Sequence, residues 1–297
     1  MPATEPVDVG IESVRPIRSF HARRSRIRPS AAAALERLWP TWGVDIDENF
    51  DFRQTFPPSD PVVLEIGCGM GDATVAMAAA DPLTTILAVD VHTPGLGVLL
   101  RDVDRRGLKN VRVAECDAVT LLSEHVPPGA LRGIRIYFPD PWPKQRQHKR
   151  RLIRPEFVGL ATSRLVSGGT LHCATDWRNY ADQMLEVLES EPGLRNNYDE
   201  FAPRPDWRPV TRFERKGLSA DHEIKDLIFT KLDVIFVLMV RPRPRSTPVR
   251  GLESCLPRDA PTPIARPVAA FASHRRTCPR SARRSAVQRR STTGERS

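Results

Sequence analysis

The chain has 297 residues, 40% of them hydrophobic, and a formal net charge of +9. That length supports one large α/β domain, or two small ones, with a buried core. No run approaches the roughly 18 apolar residues of a membrane span, and MPATEPVDVG lacks the basic and apolar regions of a secretory signal. A soluble cytoplasmic protein is expected. Cys68, Cys116, Cys173, Cys255 and Cys278 form no CxxC pair and lie at no zinc-ligand spacing from a histidine. Free thiols and no metal follow.

Residues 1–60 read as a basic arm followed by a short helical element. VRPIRSFHARRSRIR (14–28) has six arginines and no acid, and AAAALERLW (31–39) has helical composition. Over 61–240 the pattern alternates. Strands are expected at VVLEI (62–66), TILAVDV (85–91), VRVAE (111–115), IRIYF (134–138), GTLHCAT (169–175) and DLIF (226–229). Helices are expected at 72–80, 95–106, 118–126, 155–166 and 178–190, several stopped by glycine or proline. Short connections between alternating strands and helices imply a mostly parallel sheet with helices on both faces. DVIFVLMV (233–240) is apolar enough for a strand, with a sticky exposed segment as the alternative. Residues 241–297 hold eight prolines and fourteen arginines, with no lysine and three acids. Such a segment does not bury enough apolar surface to order itself, so a disordered tail is expected.

The tail distorts the charge balance, because the preceding 240 residues carry a net of −2. Their positive charge is clustered in 14–28 and in WPKQRQHKRRLIR (142–154), which has six Lys/Arg residues and no acid. Two local basic patches on a near-neutral body suit the docking of a polyanion; two solvated loops are the plainer alternative.

The segment Glu65-Ile66-Gly67-Cys68-Gly69-Met70-Gly71 lies where a strand ends and a helix begins. Glycines there let a ligand approach the backbone. The spacing is GxGxG rather than the dinucleotide-binding GxGxxG. Glu65 beside it would repel a pyrophosphate and favour a ligand bearing an ammonium group. Asp90, Asp117 and Asp140 then recur at the ends of the next three strands, about one strand–helix unit apart. A parallel sheet brings such residues to one edge, where ribose hydroxyls and an adenine amino group find acceptors. Taken singly, Asp90 and Asp117 are also ordinary helix caps or turn acids.

The fourth strand leads into Phe138-Pro139-Asp140-Pro141-Trp142-Pro143-Lys144, followed by Arg146, His148, Lys149, Arg150 and Arg151. Three prolines stiffen the loop. Phe138 or Trp142 is placed to stack a base, with core packing as the alternative for Phe138; Asp140 is placed to anchor the base and the basic run to grip phosphates. FPDPWPK, together with EIGCGMG (65–71), VHTPGLG (91–97), HKRR (148–151), ATDW (174–177), RPVTRFERKG (208–217), DHEIKDLIF (221–229) and the upstream IRSFHARRSR (17–26), resembles the bacterial tRNA (guanine-N7-)-methyltransferase family over about residues 15–230.

That resemblance implies a Rossmann-like class I methyltransferase fold with a seven-stranded sheet, S-adenosylmethionine as methyl donor, and tRNA guanine 46 of the variable loop as target. It implies donor contacts from Glu65, Gly67, Gly69, Asp90, Asp117 and Asp140, with Asp140 also the catalytic residue. It implies substrate contacts from Lys144, Arg146, His148, Lys149, Arg150, Arg151, Asp176, Thr211, Arg212, Phe213 and Glu214. No metal, membrane or obligatory protein partner is implied. Asp90 stands where glutamate is usual in the family, Gln147 where histidine is, Arg212 where lysine is, and Ala220-Asp221 replace a glycine; none of these removes a proposed catalytic group. The rival readings are a methyltransferase acting on an exocyclic adenine amine, a non-catalytic RNA-binding protein and, more remotely, a nicotinamide oxidoreductase.

Overall fold

The structure, a computed structural model, describes residues 27–211, Glu214 and residues 223–233. The arginine arm through Arg26, Arg212 and Phe213, all but the first residue of the strand expected over 233–240, and the tail 241–297 lie outside the described residues. The chain divides into two units, Met1–Arg243 and Pro244–Ser297, and only the first contains described residues.

Seven strands form one sheet. They are β1 (Val62–Ile66), β2 (Thr85–Asp90), β3 (Val111–Glu115), β4 (Leu131–Tyr137), β5 (Leu165–Thr175), β6 (Leu194–Asn196) and β7 (Lys225–Lys231), in the order β3-β2-β1-β4-β5-β7-β6. The five strands from β3 to β5 are parallel, and β7 enters antiparallel between β5 and β6. The expected mostly parallel sheet is therefore present.

The helices are α1 (Pro29–Trp42), α2 (Phe52–Thr55), α3 (Asp72–Ala80), α4 (Thr93–Arg106), α5 (Ala118–Thr120), α6 (Pro155–Arg164) and α7 (Arg178–Glu189). Alternation along each strand sorts the core onto two faces. Leu64, Ile66, Leu87, Val89, Ile134 and Ile136 point toward Phe157, Val158, Tyr180 and Met184 of α6 and α7. Ile86, Ala88, Val111 and Val113 point the other way, toward Leu38, Met77, Leu96 and Leu100 of α1, α3 and α4.

Several local features differ from the sequence reading: β6 was not expected, and β5 begins at Leu165, where the helix over 155–166 was expected to continue. The single turn α2 lies between the helical element and Pro61, where no element was expected; it is too short for a periodic signal and depends on Asp51, which accepts from Arg53 N at 2.7 Å and Gln54 N at 3.2 Å. The helix expected over 118–126 becomes α5 and then a π-turn at Leu121–His125. Strand β4 begins earlier and ends at Tyr137, so Phe138 belongs to the following loop.

The helical element before the sheet is part of the packed body. Helix α1 lies on α4, and Gly97 makes the close approach possible, because a Cβ there would sit 2.5 Å from the Ala31 carbonyl oxygen. A backbone oxygen on a packed helix has little room to yield. Gly97→Ala is expected to destabilise by roughly 1–3 kcal/mol, seen as a fall of several degrees in Tm. An unchanged Tm would show that α1 is not seated on α4 in this way.

Candidate active site

From β1 the chain runs outward to β2 and β3, then returns to the opposite side of β1 as β4. At that reversal the loops after β1 and β4 diverge, and a crevice opens beyond the carboxyl ends of the strands. A cavity of about 250 Å³ occupies it, with Gly67, Gly69, Asp90, Asp117, Phe138 and Asp140 in its wall. Residues at the carboxyl ends of four different strands, spread over more than seventy positions of sequence, are thus brought to one place.

The glycine loop is shaped by left-handed backbone, with φ of 77° at Gly67, 57° at Gly69 and 80° at Gly71. Asp90 fixes it from the neighbouring strand: Oδ2 accepts from Gly69 N at 2.8 Å and Oδ1 from His92 N at 2.8 Å. A carboxylate has about four acceptor positions, so two remain for ribose hydroxyls. Gly95 in α4 lets that helix press on the loop, since a Cβ there would lie 2.3 Å from the Gly69 oxygen. Asp117 caps α5, accepting from Val119 N at 2.7 Å, and it also lines the cavity.

Glu65 sits behind the glycine loop and is 2% exposed. Burial pushes its carboxyl up to about 7, with the Thr74 hydroxyl and the Arg135 charge pulling down and Asp90 adding to the rise. Its Oε2 has no hydrogen-bond partner among the described residues. A buried acceptor left open is costly unless something donates to it, and the ammonium of a methionyl group is a fitting donor. The donor set therefore matches S-adenosylmethionine: an open acid behind the loop, glycines for close approach, and acids with spare acceptors at the ends of β2 and β3.

Asp140 stands midway between two non-glycine residues in left-handed conformation, Phe138 (φ 53°) and Trp142 (φ 45°). Each costs about 1–3 kcal/mol and persists only where its surroundings hold it. Phe138 N donates to the Ala174 oxygen at 2.7 Å. Trp142 is 2% exposed, with the Arg150 guanidinium 4.2 Å over its ring. The Pro141 oxygen accepts from Arg151 Nε at 2.9 Å. Of the two stacking candidates, Trp142 is buried and committed, whereas Phe138 is half-buried in the cavity wall.

The basic run does not act as one surface. Lys144, Arg146 and Lys149 are exposed, and His148 is half-buried. Arg151 is 1% exposed and unavailable to RNA, which corrects its expected substrate contact. Besides Pro141 it donates to Gln183 Oε1 at 2.5 Å and Asn179 Oδ1 at 2.9 Å on α7, and it lies 4.7 Å over the Tyr180 ring. Arg150 covers Trp142. Asp176 is half-buried just past the end of β5, beside β4. Thr211 is half-buried, and Glu214, another expected substrate contact, is 1% exposed and bonded to Arg208.

The sequence reading missed a buried polar group formed by Tyr137, His172, Arg208 and Asp226. Its signal was present: His172 in GTLHCAT and Asp226 in KDLIF are polar residues in strands otherwise built for a core, and buried polar groups need partners. Cys68, Cys116 and Cys173 are free thiols. Among the described residues no group of His, Cys, Asp and Glu is arranged to hold a metal, and no helix is long and apolar enough to cross a membrane.

Residues 59–227 match the "Putative methyltransferase" family model. Over 221 residues the chain is 57% identical to the tRNA (guanine-N(7)-)-methyltransferase of Streptomyces avermitilis, covering 73% of this chain and 76% of that one. It is 56% identical over 222 residues to the enzyme of the same name from Streptomyces coelicolor, covering 73% and 82%. The Nitrosospira multiformis protein of that name is 49% identical over 218 residues, covering 73% and 95%. Among solved structures, the 16S rRNA methyltransferase KamB aligns with a TM-score of 0.45 at 15% identity, over 70% of this chain and 96% of that one.

The inward turn of Arg151 gives a direct test. Arg151→Ala removes the donor of three part-buried hydrogen bonds and the packing over the Tyr180 ring, so thermal unfolding is expected several degrees lower. Lys149→Ala at the exposed neighbour leaves Tm unchanged. Equal Tm values for both variants would contradict the division of the run.

Proposed function

The chain belongs to the tRNA (guanine-N(7)-)-methyltransferase family, and from that premise we propose that it transfers the methyl group of S-adenosylmethionine to N7 of guanine 46 in the variable loop of tRNA. The observation that carries this reading is the presence of Asp140 in the wall of the cavity formed by the glycine loop, Asp90 and Asp117. It favours catalysis over a non-catalytic RNA-binding role, because the donor acids and the reactive loop share one space. In this reading residues 61–240 are the catalytic domain, 1–60 the arm and helical element that extend it, and 241–297 a tail. The enzyme works in the cytoplasm without an obligatory protein partner.

Guanine N7 has an in-plane lone pair and no proton, so no general base is needed to expose it. S-adenosylmethionine supplies an electrophilic methyl group on a sulfonium. The donor would give its methyl group to the N7 lone pair, the C–S electron pair staying with sulfur and the positive charge ending on the guanine ring. The chain's task is alignment and electrostatics. Glu65 would hold the methionyl ammonium, Asp90 the ribose hydroxyls and Asp117 the adenine amino group. Asp140, on a loop held at both ends, receives the guanine N1–H and N2–H edge or offsets the charge appearing on the ring. Phe138 offers a stacking face, which offsets part of the few kcal/mol spent unstacking the base. Lys144, Arg146, His148 and Lys149 meet phosphates on the outer side, and Asp176 and Thr211 bound the substrate side.

Two measurements test the reading. Unmodified tRNA incubated with methyl-labelled donor is expected to yield label in 7-methylguanosine, and Asp140→Ala to lower kcat/KM at least a hundredfold. Label in N6-methyladenosine would move the enzyme to a different methyltransferase class, and no label would favour the non-catalytic reading. The second measurement uses the Glu65 carboxyl near 7. Only its ionised form pairs with an ammonium. The donor's affinity, read by calorimetry, should therefore be level above pH 7 and fall about tenfold per unit below it, with proton uptake by the buffer on binding. Glu65→Gln should bind more weakly and lose that pH dependence. A wild-type affinity flat from pH 5.5 to 8 would remove Glu65 from the site.

A further inference from the structure

We propose that Arg208 is a positioning residue that, through Glu214, fixes the substrate-side residue Thr211 relative to the cavity wall at Tyr137 and Phe138. This rests on the tRNA-methyltransferase reading. The path is continuous in hydrogen bonds. The Tyr137 hydroxyl lies 3.0 Å from His172 Nδ1, and His172 Nε2 lies 2.7 Å from Asp226 Oδ1. A carboxylate there accepts, so Nε2 carries the proton and Nδ1 accepts from the tyrosine. Burial holds the imidazole below its ordinary value against the pull of Asp226, which keeps that neutral tautomer. Arg208 Nη2 donates to Asp226 Oδ2 at 2.9 Å. The guanidinium then grips Glu214 with two bonds, Nη1 to Oε2 at 2.7 Å and Nη2 to Oε1 at 3.1 Å. Glu214 N donates to Thr211 Oγ1 at 3.1 Å, and Thr211 N to Glu214 Oε2 at 3.4 Å.

None of these anchors is exposed to solvent: His172, Arg208, Glu214 and Asp226 are each at most 1% exposed. The segment 202–211 has no helix or strand of its own, only a single bridge from Ala202 to Asp226. Without regular structure, the direction in which Thr211 faces depends on the side chains that tie it down. Burying a guanidinium with two carboxylates is an expensive way to gain stability, and apolar packing serves that end better. A planar two-bond grip instead fixes orientation. The same guanidinium lies 5.9 Å from the Tyr137 ring and 6.0 Å from that of Phe138, so it registers the segment against the wall of the donor cavity.

The test compares full-length wild type, Arg208→Lys, Glu214→Gln, Thr211→Ala and the Arg208→Lys/Thr211→Ala double variant. Each is assayed well below its own Tm for S-adenosylmethionine Kd and for kcat/KM on unmodified tRNA. Arg208→Lys keeps the charge and loses the fork; Glu214→Gln keeps the size and serves the same purpose if the lysine variant does not fold. Both are expected to hold the donor Kd within twofold of wild type and to lower kcat/KM tenfold or more. Thr211→Ala should add less than twofold on the Arg208→Lys background, although it costs several-fold alone, because the lysine variant has already lost the placement of Thr211. Wild-type kcat/KM in the foldable variants would overturn the proposal, as would fully multiplicative effects or loss of donor binding in parallel with tRNA activity. A wild-type protein without guanine-N7 activity would instead overturn the functional reading itself.

Discussion

The site depends on one constraint, the reversal of strand order at β1. Because β1 pairs with β2 on one side and β4 on the other, the loops leaving β1 and β4 part company above the sheet. The crevice between them is a product of connectivity. Right-handed crossovers packed on both faces leave the carboxyl ends of the parallel strands as the open edge. The four acids spaced about one strand–helix unit apart converge there because each follows, or nearly ends, its own strand.

Rigidity at that edge comes from unlike devices. The glycine loop is held by the Asp90 carboxylate across two backbone amides, and by α4, which approaches through Gly95. The proline loop is held against the strain of two left-handed residues by Arg150, Arg151 and the bond to Ala174. Asp140 thus rides on backbone fixed on both sides, which suits an enzyme whose chemistry needs alignment more than proton transfer.

Charge is used in two ways that composition cannot separate. Arg150 and Arg151 belong to the same run as Arg146 and Lys149, yet Arg151 turns inward onto α7 and Arg150 lies half-buried over an indole. Arg208 and Glu214 are likewise removed from the surface by each other. The basic surface left for a polyanion is smaller and more defined than the run of letters suggests, which makes its placement beside the proline loop more informative than its total.

The sequence by itself determined the alternation of strands and helices, because short apolar runs separated by helical periods leave few other folds. It also determined the glycine loop, the four acids at strand ends and the family, because each is a local pattern with a specific spacing. The helix α2, the strand β6 and the end of β4 before Phe138 were not legible; they rest on a single cap, on three residues of edge pairing and on a local turn. Tertiary structure alone decided which arginines face solvent, that Trp142 is buried while Phe138 lines the cavity, and that His172, Asp226, Arg208 and Glu214 meet. Those outcomes depend on contacts between residues as many as fifty-four positions apart, and no local pattern encodes which of several like side chains will find a partner inside.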